Sequence, residues 1–75
     1  MTDLLLYQLT VEANERLNGS SMTVRGLARQ LHTSPAQIYR LLDTTNYRKS
    51  VRQMLDLLYH LDCEVEFVVR PRAAV

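Results

Sequence analysis

A mainly α domain of four helices that ends in a single β-strand is predicted by three features of the chain. Apolar residues recur at three- and four-residue spacing through residues 3–62, Thr23, Ser34 and Ser50 stand as start signals ahead of those runs, and the pattern switches to alternation at residues 64–70. With 47% apolar and 23% charged residues and only two Gly and two Pro in 75 positions, the composition predicts one compact domain. Its expected organisation is a helical part over residues 1–63 and a strand and tail over 64–75.

Leu5, Leu6, Leu9, Ala13 and Leu17 share one helical face, which predicts a first helix over residues 3–18, capped by Thr2 or Asp3 and ended by Asn18-Gly19. Thr23 caps a second helix of about eight residues, whose inward face is Val24, Leu27, Ala28 and Leu31. Gly26 weakens so short a helix, which points to a close backbone approach by another helix or by a ligand. His32-Thr33 breaks the pattern. The run Ser34-Pro35-Ala36-Gln37 then combines a cap, Pro at the first helical position and a Gln placed to complete a capping box. The third helix buries Ile38, Leu41 and Leu42, leaving Ala36, Gln37, Tyr39 and Arg40 on its outer side. Residues 43–49 are a polar loop, and Ser50 with Gln53 forms a second capping box. It opens a fourth helix over residues 51–62 that carries Val51, Met54, Leu55, Leu58 and Leu61.

Glu64-Val65-Glu66-Phe67-Val68-Val69-Arg70 alternates and is β-branched, and Pro71 stops it. No other segment has a strand's pattern, so its backbone groups need a partner from outside the chain. Symmetry favours the same strand of a second copy: a two-stranded antiparallel ribbon in a homodimer, with Val65, Phe67, Val68 and Val69 as dimerisation residues. The alternatives are a strand laid against the helices and a frayed tail. Size argues for the partner, because one core in a chain this short supplies roughly 3–5 kcal/mol and small domains recruit a staple. Cys63 alone makes no internal disulfide, and Cys63, His32 and His60 are too few for a structural zinc site.

The net charge of +1 hides an uneven distribution: residues 24–53 carry Arg25, Arg29, Arg40, Arg48, Lys49 and Arg52 against Asp43 alone, while both flanks are acidic. A basic centre suits a polyanion, and a solvated face is the plain alternative. Without a basic flank and cleavage site ahead of Leu4–Leu6, and without a long apolar run, the expected location is cytoplasmic. No nucleophile elbow, metal motif or Gly-rich phosphate loop is present, so neither catalysis nor a cofactor is expected.

Two short helices joined tightly, the second with a polar outer face and a basic loop behind it, make residues 23–43 a helix-turn-helix candidate. Here the chain resembles the Xre/Cro-like family of DNA-binding domains, with Leu27-Ala28, Leu31, Ser34, Ile38 and Leu41 at the family's framework positions. It departs from that pattern at His32, where the family usually carries Gly, at Thr33, where it carries an apolar residue, and at Val24, where it often has a phosphate-contacting Gln. His tolerates positive φ, so the turn can still form. With the fourth helix and the strand, nearly the whole chain is similar to small antitoxins of the HigA type and related autoregulators.

The resemblance implies a homodimeric repressor on a palindromic double-stranded operator, and a cognate toxin as a further partner. It implies base reading by Ala36, Gln37, Tyr39 and Arg40, with Gln37 and Arg40 the strongest candidates because Ala36 offers only a methyl group. Phosphate contacts are implied for Ser34, Thr45, Asn46, Tyr47, Arg48 and Lys49. Arg25 and Arg29, one turn apart, are either further phosphate contacts or a solvated face.

Overall fold

A computed structural model describes residues 2–72; Met1 and the tail residues 73–75 lie outside the described residues. The chain forms four α-helices: α1 (Thr2–Asn18), α2 (Val24–Gln30), α3 (Pro35–Leu42) and α4 (Val51–His60). α1 packs on α4 and α2 on α3, and the two pairs close on each other through α1 against α3 and α2 against α4. Their shared core is Leu6, Leu9 and Ala13, Leu27 and Ala28, Ile38 and Leu41, and Met54, Leu57 and Leu58, completed by Leu61. Among the described residues no helix is long and apolar enough to cross a membrane.

Local signals set most boundaries. Thr23 Oγ1 accepts from the Gly26 amide at 3.0 Å, and Ser34 Oγ accepts from the Gln37 amide at 3.2 Å. Ser50 and Gln53 form the complete reciprocal capping box. At Ser34 only half of the expected box is present, the one donated by the backbone. α1 already contains Thr2 and Asp3, so neither stands outside as a cap; Asp3 instead lies in the first turn, where its charge faces the positive end of the helix dipole. A Cβ on Gly26 would meet only the Thr23 hydroxyl, at 3.3 Å, so the close approach is to the helix's own cap and not to another helix.

Two helices end on left-handed residues that are not glycine. After α2, His32 (φ 56) directs the Thr33 amide to Ala28 O at 2.8 Å and its own amide to Arg29 O at 3.3 Å, the paired bonds of a Schellman motif. Asp62 (φ 60) repeats the motif after α4, with Cys63 N on Leu58 O at 3.0 Å and Asp62 N on Tyr59 O at 3.1 Å. This ends α4 at His60, short of the expected residue 62. A left-handed non-Gly residue carries a strain of about 1–2 kcal/mol. His32→Gly is therefore expected to raise stability by up to about 1 kcal/mol after the extra freedom of Gly in the unfolded chain is offset. Urea denaturation of the two proteins measures it, and a destabilised variant would mean that the imidazole itself holds the turn.

The expected strand does not form within the chain. Among the described residues there is no strand, and residues 63–72 follow α4 without helix or ladder. A ladder needs a second strand, and no other segment of this sequence has that pattern. Val65 and Phe67, 36% and 55% exposed, are partly covered beside Leu5, Leu9 and Leu58, whereas Val68 and Val69, 71% and 92% exposed, find little cover on their own helices.

Candidate nucleic-acid interface

α3 is only eight residues long and is held at both ends. Ser34 and Pro35 start it. Its C-terminal carbonyls, which an isolated helix leaves unpaired, each receive a side chain. Asn46 Nδ2 donates to Arg40 O at 3.0 Å, Lys49 Nζ to Leu41 O at 2.7 Å and to Asp43 O at 2.9 Å, and Asn14 Nδ2 to Leu42 O at 2.9 Å. Asn14 reaches from α1 and also binds Thr10 O at 2.9 Å, so the end of α3 is tied to the longest helix of the fold. The Lys49 ammonium adds a positive charge at the negative end of the α3 dipole.

This geometry corrects the expectation for Lys49. Only 6% of the residue is exposed and its donors face carbonyls, so it is a clamp on α3 and not a free phosphate contact. Burial lowers its pKa below the ordinary lysine value, with the nearby Asp43 carboxylate opposing the shift. Asp43 is held below the ordinary carboxylate range mainly by the Thr45 hydroxyl, at 2.7 Å, and the Thr45 amide, at 2.9 Å, with a smaller contribution from Lys49.

The remaining candidates separate by what their polar atoms already bind. Ala36, Tyr39 and Arg40 lie on the solvent face of α3, with Tyr39 62% exposed. Gln37 is half-buried in an open depression that it shares with His32, Thr33, Gln53 and Asp56. Ser34 is exposed, although its hydroxyl already caps the helix. Thr45 and Asn46 shape the loop: Thr45 binds Asp43, while Asn46 holds Arg40 O and accepts from the Arg48 amide at 3.0 Å. Tyr47 and Arg48 are exposed beside them.

Arg25 and Arg29 are exposed on α2, and Arg52 is exposed in the first turn of α4. Among the described residues the only ion pair is Arg16 with Glu12, at 3.0 Å on α1. Arg25, Arg29, Arg40, Arg48 and Arg52 are thus cations without a carboxylate partner within the described residues. Arg52 belongs to the basic centre of the sequence but is not among the expected contacts.

α3, fixed at both ends, therefore presents an outer face carrying Ala36, Tyr39 and Arg40, and the chain carries further exposed arginines without a carboxylate partner among the described residues. Such a surface can place a guanidinium fork against base edges and others against phosphates. No protein-family model, curated protein or solved structure matches the chain.

Proposed function

We propose that the chain is a sequence-specific, double-stranded-DNA-binding repressor and autoregulator that acts as a homodimer on an inverted repeat. The observation that carries this reading is the α3 outer face, exposed at Ala36, Tyr39 and Arg40 while both ends of the helix are fixed. The fold is then a helix-turn-helix of the Xre/Cro-like kind, α2 bracing α3, with Arg25, Arg29 and Arg48 as the free phosphate contacts. Two copies joined by a ribbon of residues 64–70 would set their α3 helices in successive major grooves about 34 Å apart.

Anisotropy titration of a promoter fragment and a scrambled fragment over a range of salt tests the reading. The promoter is expected to bind more tightly, with affinity for both fragments falling steeply as salt rises. Equal affinity for the two fragments overturns it.

A second reading, a protein-interaction module that neutralises a cognate toxin, is favoured by an open groove of about 510 Å³ beside α1, lined both by Leu5, Leu9, Leu58, Val65 and Phe67 and by charged residues that include Glu12, Arg16 and Glu66. It is compatible with repression. Affinity purification of the tagged chain from its host separates the readings, since recovery of the chain alone counts against a toxin.

A further inference from the structure

Residues 64–72 run Glu-Val-Glu-Phe-Val-Val-Arg-Pro-Arg, and their charges are antisymmetric about Val68. Acidic residues stand two and four positions before it, and basic residues two and four positions after it. Glu64, Glu66, Arg70 and Arg72 are all exposed, and none of them is ion-paired among the described residues. The described chain is 51 Å along its longest axis against 23 and 20 Å across, an elongation that four short packed helices do not by themselves require.

We propose that this arm pairs with the same arm of a second copy, antiparallel and in one register centred on Val68. The proposal rests on the homodimer reading above and specifies its interface. In this register Glu66 stands opposite the partner's Arg70 and Glu64 opposite the partner's Arg72. Phe67 meets the partner's Val69, and Val68 meets its own copy across the two-fold axis. Every charge faces its opposite and every apolar side chain faces an apolar one, which are the cross-strand pairs that stabilise a sheet.

Pro71 selects the hydrogen-bond phase. Opposed residues in an antiparallel ladder alternate between bonded and non-bonded pairs. With Val68 in a bonded pair, Pro71 falls three positions on, in a non-bonded pair opposite the partner's Val65, where its missing N–H interrupts nothing. The neighbouring symmetric register, centred on Phe67, keeps Glu64 opposite the partner's Arg70 but sets Glu66 against the partner's Val68, and pairs Arg72 only with Asp62, which the end of α4 holds in a left-handed conformation outside any strand. A parallel ribbon sets Glu against Glu and Arg against Arg, which is repulsive. The arm is thus complementary to itself in one direction only, which fits an isologous interface between identical chains.

Charge reversal on the full chain tests the pairing, with molar mass followed by analytical ultracentrifugation and helicity by circular dichroism. The Glu64→Arg, Glu66→Arg variant and the Arg70→Glu, Arg72→Glu variant are each expected to self-associate at least about tenfold more weakly than the wild type, since four attractive pairs become repulsive. An equimolar mixture of the two is expected to restore a dimer containing one of each. All four substituted residues are exposed, so the helical signal should be retained.

Disulfide trapping in a Cys63→Ser background reads the register. Val68→Cys is expected to cross-link because bonded pairs place Cα atoms about 5.5 Å apart, within disulfide reach. Phe67→Cys is expected not to. Undiminished self-association of both charge variants, or a mixture that stays monomeric, overturns the charge pairing, and cross-linking through Phe67→Cys instead of Val68→Cys overturns the register. A monomeric wild-type chain overturns the dimer as well. Dimers with the expected charge response but no promoter preference overturn the DNA-binding reading and leave this one standing.

Discussion

Lys49→Met is expected to lower the stability of the fold by roughly 2–4 kcal/mol, because it removes a charged donor from two carbonyls while keeping the apolar stem. Hydrogen bonds to charged groups contribute about 1.5–3 kcal/mol, and a buried acceptor left without a donor costs about 1–3 kcal/mol. The bond to Leu41 O is buried, so water cannot readily replace it, whereas the bond to Asp43 O is only partly covered. The core of a domain this size supplies only roughly 3–5 kcal/mol, so the loss is a large share of it. The end of α3 then depends on Asn46 and Asn14 alone. Chemical denaturation gives the magnitude, and the DNA affinity of the folded variant gives the consequence: if Lys49 were a phosphate contact, Lys49→Met would leave stability near the wild-type value and weaken binding to all sequences. The two outcomes exclude each other.

Lys49 also marks where sequence reasoning stops. The start signals at Thr23, Ser34 and Ser50 are legible because a cap and its amide lie three residues apart, and local chemistry decides them. The α2–turn–α3 unit is legible for the same reason, down to the tolerance of His32 for a positive φ. A lysine in a basic loop carries no local mark that its stem will fold back onto a helix end. Asn14 is equally silent, although Thr10 and Asn14, polar residues four apart beside the apolar stripe of α1, are the trace of a helix that bonds sideways; Thr10 is fully buried and donates to Leu6 O.

The buried face of α4 differs from the expected one by a fraction of a turn. Leu57 is fully buried and Leu55 only partly, since the core fixes the rotation of an apolar-rich helix more finely than spacing can. Asp62 carries no mark of the α4 terminus because its left-handed conformation is imposed by the Schellman bonds and not by glycine. The arm is the opposite case. Its alternation is plain in the sequence, but a strand is completed by a partner, and one chain alone does not supply that partner's position.

Arg40→Ala is expected to weaken promoter binding by about fivefold to 150-fold for each half-site, which corresponds to the roughly 1–3 kcal/mol that a good bidentate contact to guanine supplies. Its guanidinium is exposed and without a carboxylate partner among the described residues, whereas its backbone carbonyl, the part that structures the loop, accepts from Asn46 in any variant. Stability should therefore stay near the wild-type value, because Ala is a strong helix former and the exposed side chain fills no part of the core. Binding to a scrambled fragment should change far less, and discrimination should relax at one base position per half-site.

Arg48→Ala supplies the contrast: as a proposed phosphate contact, present once in each protomer of the dimer, its loss is expected to lower affinity for both fragments alike and to reduce the salt slope by about two. Gln37 is expected to matter less than Arg40, because the fold half-buries it beside Gln53 and Asp56. If Arg40→Ala leaves the ratio of promoter to scrambled affinity unchanged, the outer face of α3 does not read bases. The exposed arginines would then make a sequence-independent polyanion surface, and specificity, if the chain has any, would have to come from DNA shape or from a protein partner.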